Sequence, residues 1–449
     1  MLSDIHFEPF YDPSKVAALR RLPIEQWETV LSAPDSPTRA ADFAGLQTTC
    51  HGGRLDTPWP LLSASLRSQQ NVVKSPSFVT VSGDLAAHAF ECKYKTLSPG
   101  EEGEYSAFSA KTVAFVSLML HRAFPKSPVY FVLGNNDSGC GHARDSFNSA
   151  YLHATASIFA KAALDPANGL AIQKDFPQLG DYNVKLPSPM INTRLIGLQN
   201  IFSSTGFTNC EGKLSRDEAK MQIDWLQDQL AAARLHHEHV WILAHMPPGV
   251  SAVETVGDPR DLCQGREAKS FLNEDFADTL LKFADVVQLA IFGHTHMDEI
   301  RLLSATDQGV DHRIPVKITP AMSQGGGNGS AFVVAQANPH TALLKDYEVY
   351  GTSPKEQSYR WDLQYQFTRL YHVEDFSVKS LQGLIQIFME DKIASSDATT
   401  AYIRNYSTAN PDGFAASMHG VSQPLAWHSY ACSMENSKQA TYRQCVCSR

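Results

Sequence analysis

The sequence predicts an α/β layered domain followed by a mainly helical C-terminal part. Three observations carry this: short apolar runs end in polar turns, helical stretches fall between those runs, and the pattern turns helical beyond about residue 350. The chain has 449 residues, of which 43% are apolar and 19% charged, enough for a large folded core. The division expected is a catalytic domain over 1–350 and a helical, Cys-containing subdomain over 351–449.

The elements follow in order. Residues 13–58 form a long insertion rich in Pro, Ser, Thr and Ala, expected near the rim of a site. Phe78-Val79-Thr80-Val81 ends at Gly83-Asp84, and Val129 to Leu133 ends at Gly134-Asn135. Val240 to Leu243 ends at His245, and Leu289 to Phe292 ends at Gly293-His294-Thr295-His296. Such short β-rich runs suit strands buried on both faces. Between them, Glu101 to Phe124 reads as a helix. A second helix begins at Ser215, where Glu218 completes a capping box, and Ala219, Ile223, Leu226, Leu230 and Ala233 make one apolar stripe. After His296, Ile314 to Thr319, Phe332 to Ala335 and Leu343 to Val349 read as strands of a second sheet. Ser377 to Met389 reads as helix, and a cysteine-bearing tail closes the chain.

Bulk properties exclude some functions. A net charge of −9 argues against a nucleic-acid partner held by phosphate neutralisation. No apolar run is long enough to span a bilayer. Leu2 and Ser3 lead straight into Asp4-Ile5-His6, a start that reads as a mature chain without its leader. The eight cysteines contain no Cys-x-x-Cys pair; their even number permits four disulfides and points to a secreted, periplasmic or otherwise extracytoplasmic protein. Asn328-Gly329-Ser330 and Asn405-Tyr406-Ser407 fit the glycosylation sequon.

The polar residues at the strand ends carry the chemistry. Asp4, His6, Asp84, Asn135, His245, His294 and His296 offer two carboxylates, four imidazoles and one carboxamide. A single zinc takes about four ligands, so the set suits two divalent ions sharing a bridging carboxylate. Asp4-x-His6, Gly83-Asp84, Gly134-Asn135, His245 and Gly293-His294-Thr295-His296, in this order, resemble the calcineurin-like metallophosphoesterase superfamily. Asp4-Ile5-His6-Phe7-Glu8-Pro9 with Tyr11, Asp56-Thr57-Pro58-Trp59, Gly83-Asp84-x-x-x-His88 and the run Trp361 to Tyr371 narrow the likeness to acid sphingomyelinase-like phosphodiesterases and endopolyphosphatases.

That resemblance implies a layered β-sandwich flanked by helices. It implies that Asp4, His6 and His296 hold one metal, that Asn135, His245 and His294 hold the other, and that Asp84 bridges. The ligand mix suits zinc, with manganese or iron as alternatives. The reaction implied is hydrolysis of a phosphodiester or phosphoanhydride, by a hydroxide held between the ions and attacking phosphorus in line. A phosphomonoesterase, an endopolyphosphatase or a weakly catalytic metal-binding scaffold are the alternatives. Without a lipid-binding module ahead of Asp4, small soluble phosphorylated substrates are favoured over membrane lipid.

The superfamily usually has a histidine where this chain has Asn136. A carboxamide can donate a hydrogen bond to a phosphoryl oxygen but has no titratable proton. His88, four residues past Asp84, is therefore the expected acid. Asp137 is expected to fix the turn through backbone hydrogen bonds. His51, His121, His142, His419 and His428 lie outside the motifs and read as structural or surface residues. Gly325-Gly326-Gly327-Asn328-Gly329 lacks the Lys-Ser/Thr of a P-loop and reads as a loop beside the site.

Overall fold

A computed structural model describes residues 1–255, 259–354, 359–417 and 423–448. Its first sheet has six strands in the order β3-β4-β5-β6-β8-β7. These are β3 (Tyr182–Lys185), β4 (Thr193–Leu198), β5 (His239–Ala244), β6 (Val287–Phe292), β7 (Glu299–Asp307) and β8 (Val310–Ile318). The four central strands β4, β5, β6 and β8 run parallel, and the edge strands β3 and β7 pair antiparallel. The central strands are apolar throughout because both faces are covered. Along β5, Trp241 and Leu243 enter one core while Val240, Ile242 and Ala244 enter the other. Successive side chains alternate between faces, so two cores demand a continuous apolar run.

The second layer contains β1 (Val79–Val81) parallel to β2 (Val129–Phe131), and an antiparallel set of β9 (Ser330–Ala337), β10 (Leu344–Thr352) and β11 (Asp362–Gln366). The first residues of the chain stitch these groups together. Leu2 bridges Val81, and Met1 exchanges backbone hydrogen bonds of 2.8 and 3.1 Å with Val333. The two layers pack face to face: Tyr182 donates its hydroxyl to the Phe131 carbonyl at 2.9 Å, and Trp241 donates to the Ala342 carbonyl at 2.7 Å. Helices Tyr105–Ala123 and Ala150–Ala162 cover the outer side of one layer, and Asp217–Leu235 and Glu274–Leu281 cover the other. The result is the layered, helix-flanked sandwich expected.

Two expectations change. The strand containing Ile314 to Thr319 belongs to the first sheet, where it pairs parallel with β6 and antiparallel with β7. An apolar run announces a strand but not which sheet will take it; here the tight turn at Gln308-Gly309 folds β8 back along β7. The Ser215 helix begins at Asp217, and the Ser215 hydroxyl bonds the Glu218 carboxylate in place of a backbone amide. Leu226, Leu230 and Ala233 of its stripe are buried.

The chain beyond β11 is mainly helical, with helices at Val378–Glu390, Asp397–Asn405, Gln423–Glu435 and Gln439–Cys447. Four disulfides join Cys50–Cys92, Cys140–Cys210, Cys263–Cys447 and Cys432–Cys445. The last two tie the tail to itself and to the catalytic portion. No helix among the described residues is long and apolar enough to cross a membrane.

Candidate metal centre

Five chain segments deliver side chains to one place, and two glycines let them approach. A Cβ on Gly134 would lie 2.6 Å from the Asp84 amide nitrogen, and one on Gly293 would lie 2.6 Å from Asp4 Oδ2. Strand ends from both layers can thus touch where any larger residue would hold them apart. The backbone is also bent to aim the donors. Asp4, His6, Asp84, His294 and His296 all have positive φ, between 43° and 73°. That left-handed region costs L-residues about 1–3 kcal/mol each and concentrates at functional sites.

The donor atoms converge as two groups of four. In the first, His6 Nε2 lies 3.2 Å from His296 Nε2, 3.8 Å from Asp4 Oδ1 and 3.4 Å from Asp84 Oδ2. In the second, His245 Nε2 lies 2.9 Å from Asn135 Oδ1, 3.2 Å from His294 Nδ1 and 3.3 Å from the same Asp84 Oδ2. One carboxylate oxygen is common to both groups. The outer nitrogens are tied to carbonyls: His6 Nδ1–H donates to Ala86 at 3.0 Å, and His245 Nδ1–H donates to Ser82 at 2.7 Å. Such bonds turn the Nε2 lone pair inward, as metal-ligating histidines require. A mixed set of carboxylate, imidazole and amide oxygen donors, preset in this way, fits two divalent cations.

Residues 1–298 match the sequence model described as calcineurin-like phosphoesterase. The chain belongs to the calcineurin-like phosphoesterase family. It is therefore a hydrolase of phosphoesters, in a family that uses divalent metal ions. The chain is 25% identical over 472 residues to the human acid sphingomyelinase-like phosphodiesterase 3b, covering 99% of this chain and 89% of that protein. It is 25% identical over 342 residues to the human cyclic GMP-AMP phosphodiesterase SMPDL3A, covering 74% of this chain and 69% of that one. The Dictyostelium discoideum sphingomyelinase phosphodiesterase C is 22% identical over 345 residues, or 73% of this chain and 70% of that protein.

Charge in this phosphoesterase site is arranged for cations. Burial works to raise the Asp84 carboxyl, but His245, His6 and the Asn136 amide hold it well below the usual carboxylate range. Burial works to lower His6 and His245, yet the Asp84 carboxylate and its neighbours lift each to about 9. His294 is pushed down to about 3 by burial and then by His245, and His296 to about 3 by burial and then by His6 against the pull of Asp4. With no cation bound, these shifts favour protonation of His6 and His245 near neutral pH, and a cation taken up by their Nε2 atoms would displace those protons. Loading with Zn²⁺ at pH 7 is expected to release about two protons per chain, and the metal affinity should rise with pH until about 9. Calorimetric titration in buffers of different ionisation enthalpy measures this; an uptake of protons, or none released, would contradict the assignment.

The structure brings His88 and Asn136 to the same cluster. The His88 ring stacks on His6 with centroids 3.9 Å apart, and its nitrogen lies within one group with those of His6 and His296. Asn136 bonds to Asp84 twice, through its backbone N–H to Oδ1 at 2.8 Å and its side-chain Nδ2 to Oδ2 at 2.7 Å. Asp137 accepts three backbone N–H groups, from Leu85 at 2.8 Å, Ala86 at 2.9 Å and Gly134 at 2.9 Å, which locks the two turns together.

Sequence reasoning missed several neighbours. Asp56 accepts from His88 Nδ1–H through Oδ1 at 2.6 Å and from the His88 backbone N–H through Oδ2 at 2.8 Å, and Lys93, paired with Glu8, lies 3.5 Å from the same Oδ2. The Asp56-Thr57-Pro58-Trp59 stretch had signalled a family, not a role. His142, read as structural or surface, donates from Nδ1 to Asn136 Oδ1 at 3.1 Å. Cys140, two residues earlier, hinted at an anchored loop, but nothing local named Cys210 as its partner. His419 lies outside the described residues. Gly325 borders the site, where its Cβ would stand 3.6 Å from both His296 and His88. Asn328 is fully buried with its amide donating to the Ser323 and Gly329 carbonyls, so it cannot carry a glycan in this fold.

Proposed function

We propose that the protein is a dinuclear metal-dependent hydrolase of small phosphodiesters or phosphoanhydrides. The observation that carries this is the single Asp84 oxygen shared by two four-atom donor groups. Asp4, His6 and His296 would hold one cation, Asn135, His245 and His294 the other, and Asp84 both. Two such ions supply Lewis acidity at the phosphoryl oxygens and lower the pKa of water. The imidazole-rich set favours zinc, with manganese or iron compatible. Four disulfides support an extracytoplasmic location.

The protein's own residues then do the following. Asn136 holds both oxygens of Asp84 and so fixes the carboxylate's orientation. Asp56 holds the Nδ1 proton of His88, leaving Nε2 as the atom that can exchange a proton with substrate. His88 is the proton donor to the leaving oxygen. Burial lowers its proton affinity, as does nearby His6, while Asp56 acts against them; the net shift is downward. A group that must be protonated to act, and whose pKa lies below the usual imidazole value, works best in acid. Turnover of substrates with poor leaving groups should therefore rise as pH falls from 7.

His88→Ala tests this. The loss should be about 10²–10⁴-fold on an alkyl diester, markedly smaller on bis(p-nitrophenyl) phosphate, and the acid limb should disappear. Equal losses on both substrates with an unchanged pH profile would restrict His88 to positioning. Comparing bis-aryl with mono-aryl phosphate turnover decides between a diesterase and a monoesterase.

A further inference from the structure

One charged side chain at the mouth of the site takes no part in the chemistry above. Arg54 lines a cavity of about 460 Å³ together with Phe271, His294, His296 and the Gly325–Gly327 loop. Among the described residues, no carboxylate lies within 4 Å of its guanidinium. In a chain of net charge −9, whose other cation on this cavity, Arg301, is paired with Glu299 at 3.3 Å, an unpaired arginine is conspicuous. Its side-chain contact is with His88: Arg54 Nη1 donates to His88 Nε2 at 3.3 Å, the nitrogen left free because Asp56 takes the other proton. Cys50–Cys92 anchors the segment just before it, and Gln47 donates to its carbonyl at 3.4 Å.

An unpaired guanidinium held open beside a phosphoryl site matches an anion that the two metal groups do not hold. We propose that Arg54 is a specificity-determining residue that grips a second phosphoryl group attached to the scissile one. This rests on the hydrolase reading above. In the free protein the guanidinium waits against His88 Nε2; a second phosphoryl draws it away through a charge-assisted fork and frees that nitrogen to face the leaving oxygen. Arg54 thereby favours pyrophosphate-type esters over simple diesters.

The test uses a matched pair, di(p-nitrophenyl) pyrophosphate and bis(p-nitrophenyl) phosphate, on the zinc-loaded full chain. Relative to its loss on the simple diester, Arg54→Ala should lose a further 10–100-fold or so in kcat/KM on the pyrophosphate. Arg54→Lys, which keeps charge but not the planar fork, should fall between. Calorimetry gives an independent readout: Arg54→Ala should weaken binding of inorganic pyrophosphate by a similar factor and that of inorganic phosphate by much less. Equal losses on both substrates, or unchanged discrimination between the two anions, would overturn the proposal and leave Arg54 as a support for His88. If the wild-type protein cleaved neither ester, the hydrolase reading would fail, while the anion-binding comparison would still judge Arg54.

Discussion

Replacing Asp84 by alanine is expected to leave fewer than two ions bound and to cut turnover by on the order of 10⁴-fold, the equivalent of about 5.5 kcal/mol. Asp84 Oδ2 lies 3.4 Å from His6 Nε2 and 3.3 Å from His245 Nε2, whereas Asp4 Oδ1 lies near the imidazole nitrogens of the first group, 3.8 Å from His6 Nε2 and 3.6 Å from His296 Nε2. Without the shared carboxylate, the second group keeps two imidazoles and an amide, with no anion to balance a divalent ion. The loss of Asp84 also removes the largest charge that raises His6 and His245, so the pKa of each should fall. Asp84→Asn keeps the shape and removes the charge, and should be nearly as inactive. Elemental analysis with turnover on a diester measures both effects. A variant that kept two ions and more than a tenth of its activity would remove Asp84 from its bridging role.

Gly134→Ala is expected to do comparable damage by a different route. The new methyl would meet the backbone of Asp84, which cannot swing aside as a flexible side chain could. Relief requires the end of β2 to move away from the end of β1, which carries Asn135 and Asn136 off Asp84 and strains the Gly134 amide bond to Asp137. Overpacking of this kind costs about 2–3 kcal/mol. A displacement near 1 Å at the reacting centre costs about 10²-fold in rate. Both a lower Tm and a loss of turnover are therefore expected. Gly103→Ala is the control, since its Cβ would meet nothing within 4 Å and its φ is not positive. If Gly134→Ala behaved like that control, close approach of the strand ends would not be what builds the site.

Much of the site was legible because Asp84, Asn135, His245, His294 and His296 each come shortly after an apolar, buried strand. β5 and β6 feed two cores, so their sequences could not hide, and the first polar residues after them stood out. Asp137 was legible for the same local reason, since a short acid in a tight turn seeks backbone amides. Arg54, Asp56 and His142 were not legible. They reach the cluster through loops whose course is set by Cys50–Cys92 and Cys140–Cys210, and no local periodicity encodes a disulfide partner. The strands β3 and β7 escaped because their polar ends lie at sheet edges. The Gln423–Glu435 helix escaped because polar residues such as His428, Ser429 and Ser433 are buried along with Trp427 and Tyr430, which pack with Tyr402. Tertiary packing there overrides what composition suggests.

The most direct measurement is anomalous diffraction from crystals of the zinc-loaded protein, collected on both sides of the metal edge. Two peaks are expected, one among Asp4, His6 and His296 and one among Asn135, His245 and His294, with Asp84 touching both. A single peak, or two peaks that share no ligand at Asp84, would contradict a paired centre built around that carboxylate.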